Sequence, residues 1–200
     1  MPQTLKTLSE TPSQTAGPYV QIGCTPTFAG LNNIYSAQDV GLNCIEDGAC
    51  GKQIIIRGHV FDNQGNPMFD PMIESWQADT NGLFAGQAGA DPKVNGFCRF
   101  PLDKSTGEFT LHTIKPGRII FDDTRYQAPH IALWIVARGN NIGLNTRVYF
   151  DDEDNSKDPV LLRVQPEQRI ETLIAQQISD SEYRFDIHLR GNAETVFFDM

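Results

Sequence analysis

Positive charge is scarce in this sequence. Its 200 residues carry 16 Lys and Arg against 25 Asp and Glu, a formal net charge of -9. A chain this acidic lacks the basic face that phosphates demand, which argues against nucleic acid and anionic membranes as partners. A small anionic substrate stays open, because one nearby Arg outweighs a distant net charge. Long apolar runs are missing too: none reaches the roughly 18–20 residues that span a bilayer. Residues 1–18 are polar and hold no apolar stretch, so no signal peptide is read there and a cytoplasmic protein is expected.

Other absences narrow the chemistry. The four cysteines, Cys24, Cys44, Cys50 and Cys98, form no C-x-x-C and have no His at zinc-finger spacing. Free thiols are expected; a Cys44–Cys50 bridge is allowed by sequence distance and disfavoured by a reducing cytosol. No G-x-S-x-G elbow and no Gly-rich phosphate loop occurs. The histidines, His59, His112, His130 and His188, include no pair two apart on a strand or four apart on a helix, the spacings that present two ligands together. The acidic run Asp151–Asp154 is read as a solvated loop rather than a Ca²⁺ site.

What is present is an ordinary globular mixture, 40% hydrophobic and 20% charged, with enough chain to bury a core without metals or disulfides. No repeat or linker divides it. Residues 1–22 read as an extended N-terminal arm and 23–200 as a single domain that opens with a long irregular connection up to residue 52. From Gln53 onward, short β-branched and aromatic runs alternate with turn clusters such as Asp62–Pro67 and Asp79–Gly82. Strands are expected over 53–61, 72–78, 97–100, 108–113, 119–121, 131–137, 147–150, 183–190 and 195–198. In 183–190 the odd positions, Tyr183, Phe185, Ile187 and Leu189, belong to the core. The even ones, Arg184, Asp186, His188 and Arg190, belong to solvent. One helix is expected from Pro166, with Ile170, Leu173 and Ile174 on one face, and a shorter turn near Asp158–Leu162. The expected class is mainly β, an antiparallel β-sandwich with one or two short helices.

Several segments in order then carry a resemblance: Glu10–Tyr19 with Thr15-Ala16-Gly17-Pro18-Tyr19, Glu74–Asp79, Thr113–Gly117, Ala128–Ile131, Val148–Asp152, Tyr183–Ile187 and Glu194–Asp199. The series resembles the protocatechuate dioxygenase family of intradiol dioxygenases. That resemblance implies an assembly of two related β-sandwich subunits. The β subunit holds Fe(III) through two Tyr and two His, the His pair coming from one strand as H-x-H.

This sequence departs from that ligand set. It has His130-Ile131-Ala132 in place of H-x-H, Arg118-Ile119-Ile120 with no Tyr directly after Lys115-Pro116-Gly117, no Tyr between Phe84 and Phe109, and Gln127 where the catalytic chain has Arg. The pattern resembles the family's iron-free subunit: no cofactor bound by this chain, a single vestigial His130, and Fe(III) in a partner β subunit. By resemblance, Thr15, Ala16, Gly17, Pro18, Tyr19 and Arg138 would form part of the wall of the partner's cleft. There a small aromatic acid would be opened by O₂. The runs Ile56–Pro67, Thr106–Phe109 and Lys115–Gly117 also resemble transthyretin-like sandwiches, which leaves a non-enzymatic binding module as the alternative.

Overall fold

The computed structural model describes residues 14–32 and 39–199, so Glu10–Ser13 of the N-terminal motif lie outside the described residues. The first described element is α1 (Pro18–Cys24), a seven-residue helix with Pro at its first position and Gly17 as its N-cap. This corrects the extended reading of residues 18–22. Proline tolerates the first turn because its missing N–H would have no partner there anyway, and the local sequence, without apolar periodicity, does not advertise the helix.

Eleven strands follow: β1 (Gln53–Phe61), β2 (Met72–Trp76), β3 (Phe97–Pro101), β4 (Glu108–Ile114), β5 (Ile119–Ile120), β6 (Tyr126–Gln127), β7 (His130–Val136), β8 (Leu144–Phe150), β9 (Ile174–Ser179), β10 (Glu182–Arg184) and β11 (Ile187–His188). Nine of them form one sheet in the order β4, β1, β10, β9, β8, β7, β2, β3, with β11 continuing beside β1 past β10. This sheet folds over itself. The inward rows of β1, β4 and β10 (Ile54, Ile56, Phe109, Leu111, Tyr183) meet those of β2, β3, β7 and β8 (Ile73, Phe100, Leu133, Phe150) in one buried cluster. The sandwich is thus as expected, but it is mixed rather than purely antiparallel: β1 runs parallel to β10 and β11, and β8 parallel to β9. Periodicity marks strands and their faces and carries no direction; the connection from β8 to β9, residues 151–173, is long enough to bring the chain back in the same sense.

That connection also corrects the predicted helix. Residues Leu161–Arg163 and Glu167–Leu173 are 3-10 turns, Pro166 stands outside the second as its cap, and Ile174 already opens β9. The expected strand over 183–190 splits at Phe185–Asp186. Its alternation survives, with Tyr183, Phe185 and Ile187 buried. There the Phe185 N–H still donates to the Arg57 carbonyl of β1 at 2.8 Å, and the Asp186 carboxylate accepts from the His59 N–H at 2.9 Å. Residues 195–198 form only a bridge, Asn145 to Phe198. The acidic run is not merely solvated: Asp152 and Glu153 pair with the Lys115 ammonium at 2.5 and 2.9 Å, tying the loop after β8 to the Lys-Pro-Gly segment after β4. All four cysteines are free.

Gly58 sits on the inner face of β1, and a Cβ there would lie 1.7 Å from the Phe185 carbonyl oxygen and 2.7 Å from the Phe109 ring. Backbone cannot yield as a flexible side chain does. Gly58→Ala is therefore expected to destabilise the fold by at least about 1–3 kcal/mol, read as a lower urea midpoint at unchanged m-value. An unchanged midpoint would contradict the packing described.

Candidate functional site

β7 links two places that matter. At its far end, past Val136, Arg138 emerges beside the residues that precede β2, because Met72 and Val136 are register partners. The Arg138 Nε lies 3.2 Å from the Asp70 carboxylate, with the Arg side chain 74% exposed. The N-terminal segment docks onto the same end. The Gly139 N–H donates to Thr15 Oγ1 at 2.7 Å. Gln21, buried on α1, donates from Nε2 to the carbonyls of Asp70 and Pro71 at 3.2 and 3.3 Å. Thr25 Oγ1 in turn donates to the Gln21 side-chain oxygen. Ala16, Gly17, Gln21, Asp70 and Arg138 line a cleft of about 360 Å³. Gly17 has an extended φ of -146°, and among the described residues none crowds the position a Cβ would take. Tyr19, on the first turn of α1, is 85% exposed and is no core anchor.

The structure therefore brings together Thr15, Ala16, Gly17 and Arg138, with Pro18 and Tyr19 opening the adjoining helix. Sequence reasoning missed Asp70 and Gln21, which fix that cluster. Neither follows an apolar period, and their contacts span about fifty residues of sequence, so nothing local could signal them.

At the other end of β7 stands His130, eight residues before Arg138, or about 25 Å along an extended strand. It is 5% exposed, and its Nδ1–H donates to the Ala128 carbonyl at 2.8 Å. In the antiparallel register His130 faces Tyr149 and Ala132 faces Arg147. The Arg147 Nη1 donates to Gln127 Oε1 at 2.6 Å and to the Tyr149 hydroxyl at 3.2 Å. The Tyr149 O–H points to Asp158 at 3.4 Å. Asp158, 1% exposed, also accepts from the N–H groups of Ala128, Val160 and Leu161 at 2.7–2.9 Å.

Electrostatics follow from this packing. Burial first, and the Arg147 cation second, push the His130 pKa down to about 4. Burial raises the Tyr149 phenol and holds it protonated. A ferric ion wants several anionic or neutral donors converging on it. This face offers one free imidazole nitrogen, a protonated phenol already hydrogen-bonded, and a guanidinium; the donor set does not fit the metal. Among the described residues no group of three His, Cys, Asp or Glu is gathered for a metal ion. The other histidines do not converge on it. His59 bonds Arg184 and the Thr106 carbonyl, His112 is exposed, and His188 is half-buried and stacked on Phe61 rather than fully in solvent. Arg147 was legible in principle, since it alternates with Tyr149 on β8, but its pairing with Ala132 depends on a strand register that sequence does not print.

Comparison with known proteins identifies the family. A family model described as Dioxygenase matches residues 25–191. The protocatechuate 3,4-dioxygenase alpha chain of Pseudomonas putida is 43% identical over 200 residues, covering 98% of each chain. The beta chain of the corresponding Burkholderia cepacia enzyme is 27% identical over 184 residues, 81% of this chain and 78% of that one. Among solved structures, the dioxygenase domain of a carbohydrate-binding fusion from Streptomyces sp. SirexAA-E superposes with a TM-score of 0.55 at 21% identity, over 82% of this chain and 96% of that one.

The depressed His130 pKa has a stability consequence. Between about 6.5 and about 4 the unfolded chain holds the proton and the folded chain does not. Stability is thus fully present above the unfolded value and falls as pH drops through this window, by roughly 3 kcal/mol from this group. Urea unfolding from pH 7 to pH 4 should show this slope, and His130→Gln should flatten it. An equal slope in both proteins would rule the assignment out.

Proposed function

Because the chain belongs to the dioxygenase family, we propose that it is the iron-free alpha subunit of a protocatechuate 3,4-dioxygenase and lends one wall to an active site whose Fe(III) is held by a beta subunit. The observation that carries this reading is the separation along β7. The arm residues and Arg138 form a cleft about 25 Å from this chain's own His130. They therefore serve a centre other than the position around His130, where Arg147 faces Ala132. The division into an arm, residues 1–22, and a sandwich, residues 23–200, belongs to this proposal. So does a cytoplasmic location; among the described residues no helix is long and apolar enough to cross a membrane.

The overall reaction places both atoms of O₂ across the bond between the two hydroxyl-bearing carbons of protocatechuate and gives 3-carboxy-cis,cis-muconate. The partner's ferric ion supplies the Lewis-acid and redox chemistry. This chain contributes position and charge. Asp70 engages Arg138 through Nε, which leaves the two terminal nitrogens to meet an anionic aromatic acid or an acidic group of the partner. Tyr19 presents a ring and a hydroxyl from the rigid first turn of α1. The open side of Gly17 admits close approach of a neighbouring backbone or ligand. Thr15 and Gln21 lock the arm to the ends of β7 and β2, so these groups arrive preorganised.

In the assembly with a beta partner, Arg138→Ala is expected to raise KM for protocatechuate roughly tenfold, the loss of one charge-assisted contact. Tyr19→Phe should lower kcat severalfold with little change in KM. Steady-state oxygen uptake reads both. If neither variant alters either constant, the arm is purely structural and never meets substrate.

A further inference from the structure

The chain has two tryptophans, and both lie on the outer face of the sheet. Trp76 of β2 and Trp134 of β7 are 44% and 37% exposed. With Phe97 of β3, Phe198, Ala132 and Arg147 they line a groove of about 260 Å³, in which the register runs Phe97, Trp76, Ala132, Arg147 across the sheet. Trp76 is held by stacking on Phe84, the rings 6.0 Å apart and nearly parallel.

The charges in this groove are unequal. Glu74 is neutralised by Arg99, whose Nη2 lies 2.6 Å from its carboxylate. Arg147 is half-buried, yet no carboxylate lies within ion-pair distance of it among the described residues; Asp158 reaches it only through the Tyr149 hydroxyl. Its contacts to Gln127 and Tyr149 both use Nη1, while its guanidinium carbon lies over the Phe198 ring, 5.8 Å from the ring centre. A half-buried guanidinium without an anion leaves room for a bound carboxylate, and its planar fork suits a carboxylate's two oxygens. The groove falls just under the size range usual for ligand pockets, about 300–1,000 Å³, which favours a single ring over a larger molecule.

We propose that this groove binds a planar aromatic carboxylate, its ring against Trp76 and Trp134 and its carboxylate on Arg147. The site arises where Ala132 is too small to fill the face and its cross-strand neighbour Arg147 lies exposed to the groove. It involves neither the arm nor Arg138, so it stands or falls separately from the role proposed for them.

Because the groove contains every tryptophan of the chain, tryptophan fluorescence reads its occupancy directly. Titration of the purified chain with benzoate should give a saturable change, and benzyl alcohol, with the same ring and no charge, should bind roughly tenfold more weakly. Arg147→Gln should weaken benzoate by a similar factor while leaving benzyl alcohol unchanged; circular dichroism checks that the variant folds, and the two-ligand comparison on the unaltered chain needs no variant. In the assembly with the beta chain, the benzoate response lost on Trp134→Phe should persist. No saturable response, equal affinity for the two ligands, or disappearance of the Trp134 signal on assembly, which would mean that a partner segment covers the groove, would each overturn the proposal.

Discussion

The pairing of Ala132 with Arg147 across β7 and β8 governs what this molecule can do. Strand alternation puts His130 and Ala132 on one face and delivers Tyr149 and Arg147 opposite them. A cation placed two residues from the remaining imidazole makes the face hostile to a metal ion. Burial first, and this cation second, lower the affinity of that imidazole for a proton. What a metal would otherwise hold together is held by hydrogen bonds. Arg147 joins Gln127 to Tyr149, and Asp158 gathers Tyr149 and three backbone N–H groups from both sides of the β7 entrance. Such a buried polar network keeps the scaffold rigid as long as every member is satisfied.

Under the proposed function, the groups that serve the partner lie at the other end of β7 from this network. β7 is a stiff connection between the His130 network and the Arg138 cleft. The cleft is itself assembled from three separate stretches of chain: the arm, the segment before β2 and the exit from β7. The acidic overall balance of the chain suits this division of labour. A net charge of -9 does little to attract an anionic substrate. Under the two proposals above, attraction falls to single guanidinium groups, Arg138 held at Nε by Asp70 and Arg147 at Nη1 by Gln127 and Tyr149.

Much of the sandwich was legible in the sequence. The alternation in Tyr183–Arg190 placed Tyr183, Phe185 and Ile187 inside as expected, although Leu189 is only partly buried and His188 is half-buried against Phe61. Strand direction was not legible: nothing in Ile174–Ser179 reveals that it pairs parallel with β8, and its apolar residues read equally well as the last turn of a helix. Of the candidate site, Thr15–Tyr19, Arg138 and the place of Ala132 where the family has a second His were expected from the family resemblance alone. The groups that fix them in place, Asp70, Gln21 and Asp158, act through contacts 30 to 68 residues apart in sequence or through backbone carbonyls, which no local pattern records.

The central claim is that this polypeptide folds without iron and that the iron of the working enzyme belongs to another chain. The most direct measurement is metal analysis with visible absorption spectroscopy on the chain purified alone and on the chain co-expressed with a beta partner. The account predicts a colourless, folded chain without stoichiometric iron, and an iron-bearing, coloured assembly whose metal content tracks the partner. One tightly held iron per chain in the absence of any partner would contradict it.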